Sequence, residues 1–221
     1  AGRGTRLMPL TKKIPKGLIK FKQSTLISNG INKLKKYINF IHISVGYKGP
    51  ILAKHLIEQK VSSIINTDNK GNAWWIFNSM FKYFDKPIYV LTCDNVTDID
   101  FKKIEKDYYK KKQPLCMIIP TRPVAGLSGD YIFSKKNVVN GLSRKKKSSI
   151  YCTGIQILNP KKINQKIKPT NDFNILWKRL MKIKQLYVSD IEPKKWYTVD
   201  NIDNYNTVSY THLTLPTTPY V

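Results

Sequence analysis

The chain has 221 residues, 41% of them apolar and 11% aromatic, enough to bury one sizeable core and too many for wholesale disorder. No apolar run approaches the roughly 18 residues of a membrane helix, so a helical span is excluded and no membrane partner is expected. The 39 basic residues against 14 acidic ones give a formal net charge of +25, which admits nucleic acid or another polyanion as a partner. The make-up of that charge weakens the nucleic-acid reading. It comes from 34 Lys and only 5 Arg, whereas base-edge and bidentate phosphate recognition lean on Arg. Lys, Ile and Asn are all common here and all have A/T-rich codons, so a skewed genome accounts for much of the excess. The lysine runs carry little aromatic interleaving, and no specific nucleic-acid partner is expected. With no charged-then-apolar leader at the start of the sequence, the expected compartment is the cytoplasm. Cys93, Cys116 and Cys152 lie far apart in apolar segments and are expected to be buried, reduced thiols.

In chain order, the sequence opens inside a glycine-rich turn, Gly2-Arg3-Gly4-Thr5. Such a turn normally follows a hydrophobic strand, so about ten further residues are expected ahead of it. Ile27, Ile31, Leu34 and Ile38 recur at helical spacing, and the β-branched run from Phe40 to Val45 then predicts a strand ending at Gly46. Ala73, Phe77, Met80 and Phe84 predict a second helix before a strand over Pro87 to Cys93. Asp98 and Asp100 are placed to cap or charge the start of a helix at Phe101. Leu115 to Ile119 and Tyr151 to Leu158 predict two more strands, and Phe173, Leu176, Leu180 and Ile183 a later helix. Strands alternating with helices indicate βαβ units, a mainly parallel sheet and one domain over residues 1–206. From Val208 to Thr217 the Lys/Asn-rich texture stops. That stretch reads like an in-frame translation of a transposon-type sequencing adapter, so residues 207–221 are expected to be a non-native tail on a domain cut short at its C-terminus.

The chemistry-bearing residues begin in the opening turn. Closely spaced glycines let backbone N–H groups turn inward and form an anion nest. Arg6 adds a planar guanidinium suited to phosphate oxygens, and Lys16, on a stiff segment after Pro15, adds a point charge. The glycine spacing fits neither a Walker loop nor a dinucleotide fingerprint. Asp94 ends an apolar run, and strand C-termini are where open α/β sheets place their ligands. Asp200 ends another apolar run far downstream. His42, His55 and His212 share no ligand spacing and are expected to be structural. Trp74 and Trp75, beside Gly71, could stack on a nucleobase or sugar, but their helical pattern makes at least one of them core, and neither is counted as a site residue.

The string Gly-x-Gly-Thr-Arg-Leu-x-Pro-Leu-Thr followed by Pro15-Lys16 resembles the signature of the sugar-1-phosphate nucleotidyltransferases. The resemblance runs on through Gly46-Tyr47, Lys70-Gly71-Asn72-Ala73, Leu91-Thr92-Cys93-Asp94, Thr153-Gly154-Ile155 and Trp196 to Asp200. Two departures stand out: Cys93 replaces a usual Gly, and Asn201-Ile202 follows Asp200 where Gly-Thr is common. The resemblance implies a Rossmann-like three-layer α/β/α sandwich with a mainly parallel mixed central sheet. It also implies an Mg²⁺ ion on Asp94 and Asp200, and an NTP and a sugar 1-phosphate as substrates. Gly2, Gly4, Thr5, Gly71 and Asn72 would bind the nucleotide, with Arg6 and Lys16 catalytic. Gly154 would bind the sugar phosphate together with Arg144 or Lys145, the nearest stretch to the family's Glu-Lys-Pro. A cytidylyltransferase acting on a phosphate such as phosphocholine is the alternative within the class, and a basic nucleic-acid-binding protein the alternative outside it.

Overall fold

The glycine turn leads through two 3₁₀ turns, Thr5–Leu7 and Lys16–Leu18, into a small hairpin of β1 (Lys20–Phe21) and β2 (Ser24–Thr25). This computed structural model describes residues 2–124, 126–127 and 129–211, with the backbone alone for residues 210 and 211. Helix α1 (Leu26–Leu34) starts where the Thr25 hydroxyl accepts the Ser28 N–H, relieving one of the unpaired donors of the first turn. It stops short of Ile38, because the N–H groups of Tyr37 and Ile38 both close onto the Leu34 carbonyl. Next come β3 (His42–Val45), α2 (Gly49–Glu58) and β4 (Ser63–Asn66), with β3 and β4 paired in parallel.

The second expected helix is broken. Helix α3 covers Trp74–Asn78 only, and a 3₁₀ turn, Met80–Tyr83, follows it. Ser79 makes the break: its backbone is extended, its hydroxyl donates to the Trp75 carbonyl, and its oxygen accepts the Phe81 N–H. Strands β5 (Ile88–Val90) and β6 (Asn95–Asp98) follow, then α4 (Phe101–Lys110), capped by the Asp100 carboxylate on the Lys103 N–H. The remaining elements are β7 (Cys116–Thr121), β8 (Tyr131–Lys135), β9 (Val138–Ser143), β10 (Tyr151–Leu158), α5 (Pro160–Lys166), α6 (Phe173–Lys182), β11 (Leu186–Val188), β12 (Lys195–Thr198) and α7 (Ile202–Thr211).

The central sheet has six strands in the order β5-β10-β7-β11-β9-β8. β7 sits deep within it and is buried along its whole length. Strand periodicity sends Cys116 and Ile118 to one face, against Leu176 and Leu180 of α6, and Met117 and Ile119 to the other, against Ile104 and Tyr108 of α4. A third cluster, Ile27, Ile31, Val45, Leu52 and Leu56, packs α1 and α2 around β3. Helices on both faces of the strands give the α/β class and the mixed sheet expected from the sequence. The share of parallel ladders is smaller than the strand–helix alternation suggested. Among the described residues only β3–β4 and β7–β11 are parallel. The β8–β9 hairpin and the return of β10 fill the rest of the sheet antiparallel.

Helix α7 crosses the expected boundary at 207, with Val208 buried in one cluster with Leu7, Ile19 and Phe21. Residues 212–221, including His212, lie outside the described residues. No helix among the described residues is long and apolar enough to cross a membrane.

Candidate active site

Gly4 sets the shape of the opening turn. Its φ of 65° is left-handed, Leu7 N–H donates to its carbonyl at 2.9 Å, and the Thr11 hydroxyl donates to the same carbonyl at 2.8 Å. A Cβ there would sit 3.0 Å from the Thr11 methyl, so glycine meets both the backbone and the space requirement. Fully buried Leu7 anchors the turn, which leaves Arg6 on the outer side with 67% of its side chain exposed.

Asp94 lies in the turn between β5 and β6, and Asp200 just beyond β12. Far apart in sequence, they meet because β6 and β12 pair antiparallel, with Asn95 opposite Thr198. The Val199 N–H then donates to the Asp94 carbonyl at 3.0 Å. Lys16 completes the convergence: its Nζ is 2.6 Å from Asp94 Oδ2 and 3.1 Å from Asp200 Oδ1. Arg6 Nη2 stands 3.5 Å from the same Asp200 oxygen. Burial pulls the Lys16 ammonium down, but the two carboxylates outweigh it and hold the group above its ordinary value. Burial likewise pushes the Asp94 carboxyl up, and Lys16 reverses this to leave it below the usual carboxylate range.

Asp94 Oδ1 is buried and has no hydrogen-bond partner among the described residues. A buried carboxylate oxygen without a donor is costly unless something else satisfies it. Two facing carboxylates, one with an unclaimed oxygen, form the hard-oxygen donor set that suits Mg²⁺ completed by water and phosphate. Among the described residues no cluster of three or more His, Cys, Asp or Glu side chains is placed to hold an ion.

A second network backs this pair. Trp196 Nε1 donates to Asn95 Oδ1 at 2.9 Å and to the Thr153 carbonyl at 3.2 Å, and Asn95 Nδ2 donates to Thr92 Oγ1 at 2.8 Å. Thr153 belongs to the irregular part of β10, whose register against β7 shifts between Cys152 and Gln156. The shift puts Gly154 at φ 80°, facing the Asn95 amide at a built-Cβ distance of 3.6 Å.

The Gly71-Asn72 loop is latched to the start of α6. Ala73 N–H donates to the Asn171 carbonyl, Phe173 N–H to Asn72 Oδ1, and Trp75 Nε1 to the Asn72 carbonyl, each at 3.0 Å. A Cβ on Gly71 would fall 1.9 Å from the Asn171 carbonyl oxygen. That neighbour is backbone and cannot rotate away, so Gly71→Ala is expected to cost about 1–3 kcal/mol, read as a lower urea midpoint at unchanged m-value.

One cavity of about 1770 Å³ gathers these parts. Gly2, Gly4, Thr5, Arg6, Lys16, Gly71, Asn72, Asp94, Gly154 and Asp200 all line it, as does Arg144, which pairs with Asp130 at 3.1 Å. Lys145 does not line it; its side chain is exposed and its N–H turns back onto Ser143 Oγ. Trp75, the Thr92–Asn95 pair and Tyr47, over whose ring the Arg3 guanidinium lies at 5.9 Å, also line the cavity, although the sequence reading gave none of them a site role. Tyr47 and Thr92 fall within the motifs that carry the family resemblance, and Trp75 lies close to Gly71 in the sequence.

Cys93 departs from expectation. It is exposed in the turn beside Asp94, because β5 ends three residues before it. Cys116 and Cys152 are buried as expected, and burial pushes the Cys152 thiol up to about 11. The two described histidines are structural: His55 Nε2 is 2.7 Å from Ser28 Oγ, and His42 Nδ1 is 2.8 Å from Ser63 Oγ.

A left-handed glycine turn, two cationic side chains and two carboxylates joined through Lys16 thus meet at one cavity of an α/β fold. The chain belongs to the nucleotidyl transferase family, whose family model matches residues 1–209. It is 27% identical over 207 residues to a mannose-1-phosphate guanyltransferase of Debaryomyces hansenii, covering 86% of this chain and 57% of that protein. The chain thus spans little more than half the length of such curated relatives, and less of some others. Its fold matches a putative glucose-1-phosphate thymidylyltransferase from Bacillus anthracis with a TM-score of 0.75 at 17% identity, over 97% of this chain and 93% of that one. It also matches a CTP:phosphocholine cytidylyltransferase from Streptococcus pneumoniae with a TM-score of 0.70 at 21% identity, over 96% of both chains.

Proposed function

We propose that the protein transfers a nucleotidyl group from an NTP to a sugar 1-phosphate, giving an NDP-sugar and pyrophosphate for surface-glycan or cell-envelope synthesis. The observation that carries this reading is Lys16 Nζ bridging Asp94 and Asp200 at the mouth of the Gly2–Arg6 turn. The sugar-phosphate substrate named for the guanyltransferase relatives supports it. The attacking atom is an oxygen of the sugar phosphate, already anionic, so no general base is needed. A new P–O bond forms at the α-phosphorus as the α–β bridge bond breaks, and pyrophosphate leaves with the bond pair. Catalysis is therefore positioning and charge neutralisation.

The Gly2–Thr5 amides and Arg6 would hold the polyphosphate and the departing pyrophosphate. Lys16, fixed between two carboxylates and largely buried, keeps its proton and offers a permanent positive charge beside them. Gly71 and Asn72 would border the base. Gly154 would admit the sugar close to the backbone, with Arg144 rather than Lys145 placed to meet its phosphate. Asp94 and Asp200 would hold Mg²⁺, which when bound neutralises charge on the α-phosphate and pyrophosphate oxygens.

The test is pyrophosphate release with each of the four NTPs against several sugar 1-phosphates and phosphocholine, in Mg²⁺. Release with at least one sugar 1-phosphate is expected. Turnover confined to CTP and phosphocholine would replace this reading with the cytidylyltransferase one. Silence from folded protein across the panel would reject both, and polyanion binding that falls steeply with salt and ignores Mg²⁺ would mark a nucleic-acid binder.

A further inference from the structure

Arg144 borders the cavity just past the end of β9, and little holds it there. Its side chain is 79% exposed, and its one ion-pair partner among the described residues is Asp130, with Nε 3.1 Å from Oδ1. Asp130, by contrast, is fixed on both sides. Its carbonyl accepts the Cys152 N–H at 2.8 Å, Tyr131 lies opposite Tyr151, and the Ile132 N–H donates to the Ile150 carbonyl at 3.0 Å. Gly129 lets the chain come this close to β10, since a Cβ there would fall 2.6 Å from the Tyr151 ring. The Asp130 carboxylate is thus mounted beside Cys152, two residues before Gly154, and all but Cys152 and Gly129 of this group reach the cavity or pack directly behind it. An exposed ion pair adds little to stability, so its consequence is where the guanidinium stands. Arg144 meets Asp130 through Nε, and neither Nη group has a partner among the described residues. A planar guanidinium held at Nε keeps its Nη edge for bidentate contact with an oxyanion, which a lysine cannot offer.

We propose that Asp130 is a positioning residue: by holding Nε it fixes Arg144 at the cavity wall, where the Nη edge grips the phosphate of the incoming sugar 1-phosphate. The identity of that acceptor rests on the nucleotidyl-transfer reading, whereas the oxyanion site itself does not. Asp130 touches no substrate. Its carboxylate alone would repel a phosphate, so its contribution runs entirely through Arg144. A long, exposed side chain loses rotamer freedom when it binds, and here the carboxylate imposes that order before the phosphate arrives. Affinity for the oxyanion rises without a further contact to it.

The chain has only five arginines, so their Nε–H signals can be followed one by one in ¹⁵N NMR, with Arg6→Gln and Arg144→Gln identifying the two that matter. Inorganic phosphate is titrated into the wild type, Asp130→Ala and Asp130→Asn. The wild-type Arg144 signal is expected to shift with phosphate. In Asp130→Ala the concentration at half-shift should rise about fivefold at Arg144 and stay unchanged at Arg6, which a general structural fault would move as well. Asp130→Asn, isosteric and still able to accept from Nε, should fall between the two, and it decides the matter if Asp130→Ala does not fold. An Arg144 signal unmoved by phosphate in the wild type, or one with the same half-shift in every variant, would overturn the proposal. Turnover separates this from the wider reading. Pyrophosphate release with KM raised for the sugar 1-phosphate but not for the NTP in Asp130→Ala supports both. Release with both KM values unchanged would overturn the positioning role alone, and a wild type silent with every acceptor would overturn nucleotidyl transfer while the phosphate titration still judges Asp130.

Discussion

Asp94→Asn is expected to lower pyrophosphate release by about a thousandfold while the protein remains folded. The substitution keeps size and shape, and the Val199 N–H donates to the residue-94 carbonyl, so the β6–β12 ladder does not depend on the carboxylate. Lys16 is not stranded either, because Asp200 remains 3.1 Å from its Nζ. What disappears is the buried, unclaimed Oδ1 oxygen as an anionic donor, and with it half of the carboxylate pair. The check is turnover beside thermal unfolding of the same preparation. A large rate loss with a Tm change of a few degrees is expected, whereas a rate within tenfold of wild type would remove Asp94 from the active centre.

Lys16→Met is expected to have an effect on rate nearly as large, about a hundredfold or more, but with an opposite effect on the carboxylates. In the wild-type protein Asp94 titrates below the ordinary carboxylate value because Lys16 outweighs its burial. A folded-state value below the unfolded one contributes stability above pH 3.8, and that stability fades as pH falls through the folded value. Without Lys16, burial is the largest effect left, opposed only by the smaller contributions of the Thr92 side chain and the local backbone, so the folded-state value rises above the unfolded one and the sign reverses. The variant should then lose stability as pH climbs through the carboxylate range, and millimolar Mg²⁺ should restore it by taking over the neutralising role. Tm measured against pH, with and without Mg²⁺, separates this from simple loss of packing, which would be independent of both.

Much of the layered core was legible in the sequence because β3, β5, β7 and β10 are β-branched runs bounded by Gly, Pro or Asp, and α6 keeps its spacing throughout. The helix expected from Ala73 to Phe84 was not legible as two pieces. Its apolar spacing is helical, but the Ser79 hydroxyl competes for backbone groups, a local effect that periodicity does not carry. Strands β6 and β12 are short and half polar, and their mutual pairing is a long-range fact with no local signature. That pairing is what brings Asp94 to Asp200. The two aspartates were therefore identifiable by their place at the ends of apolar runs and by family resemblance, while the means of their meeting was not. Arg144 and Lys145 show the same limit. Adjacent in the basic loop between β9 and β10, they were indistinguishable in sequence; both are exposed, but Arg144 pairs with Asp130 and borders the cavity, and Lys145 does not.

Whether Asp94 and Asp200 share a single ion can be read without turnover, by titrating Mn²⁺ into the protein with NTP present and following free ion by electron paramagnetic resonance. One tightly held ion per chain is expected in the wild type, and it should be lost alike in Asp94→Asn and Asp200→Asn. Undiminished Mn²⁺ binding in either variant would contradict a shared site.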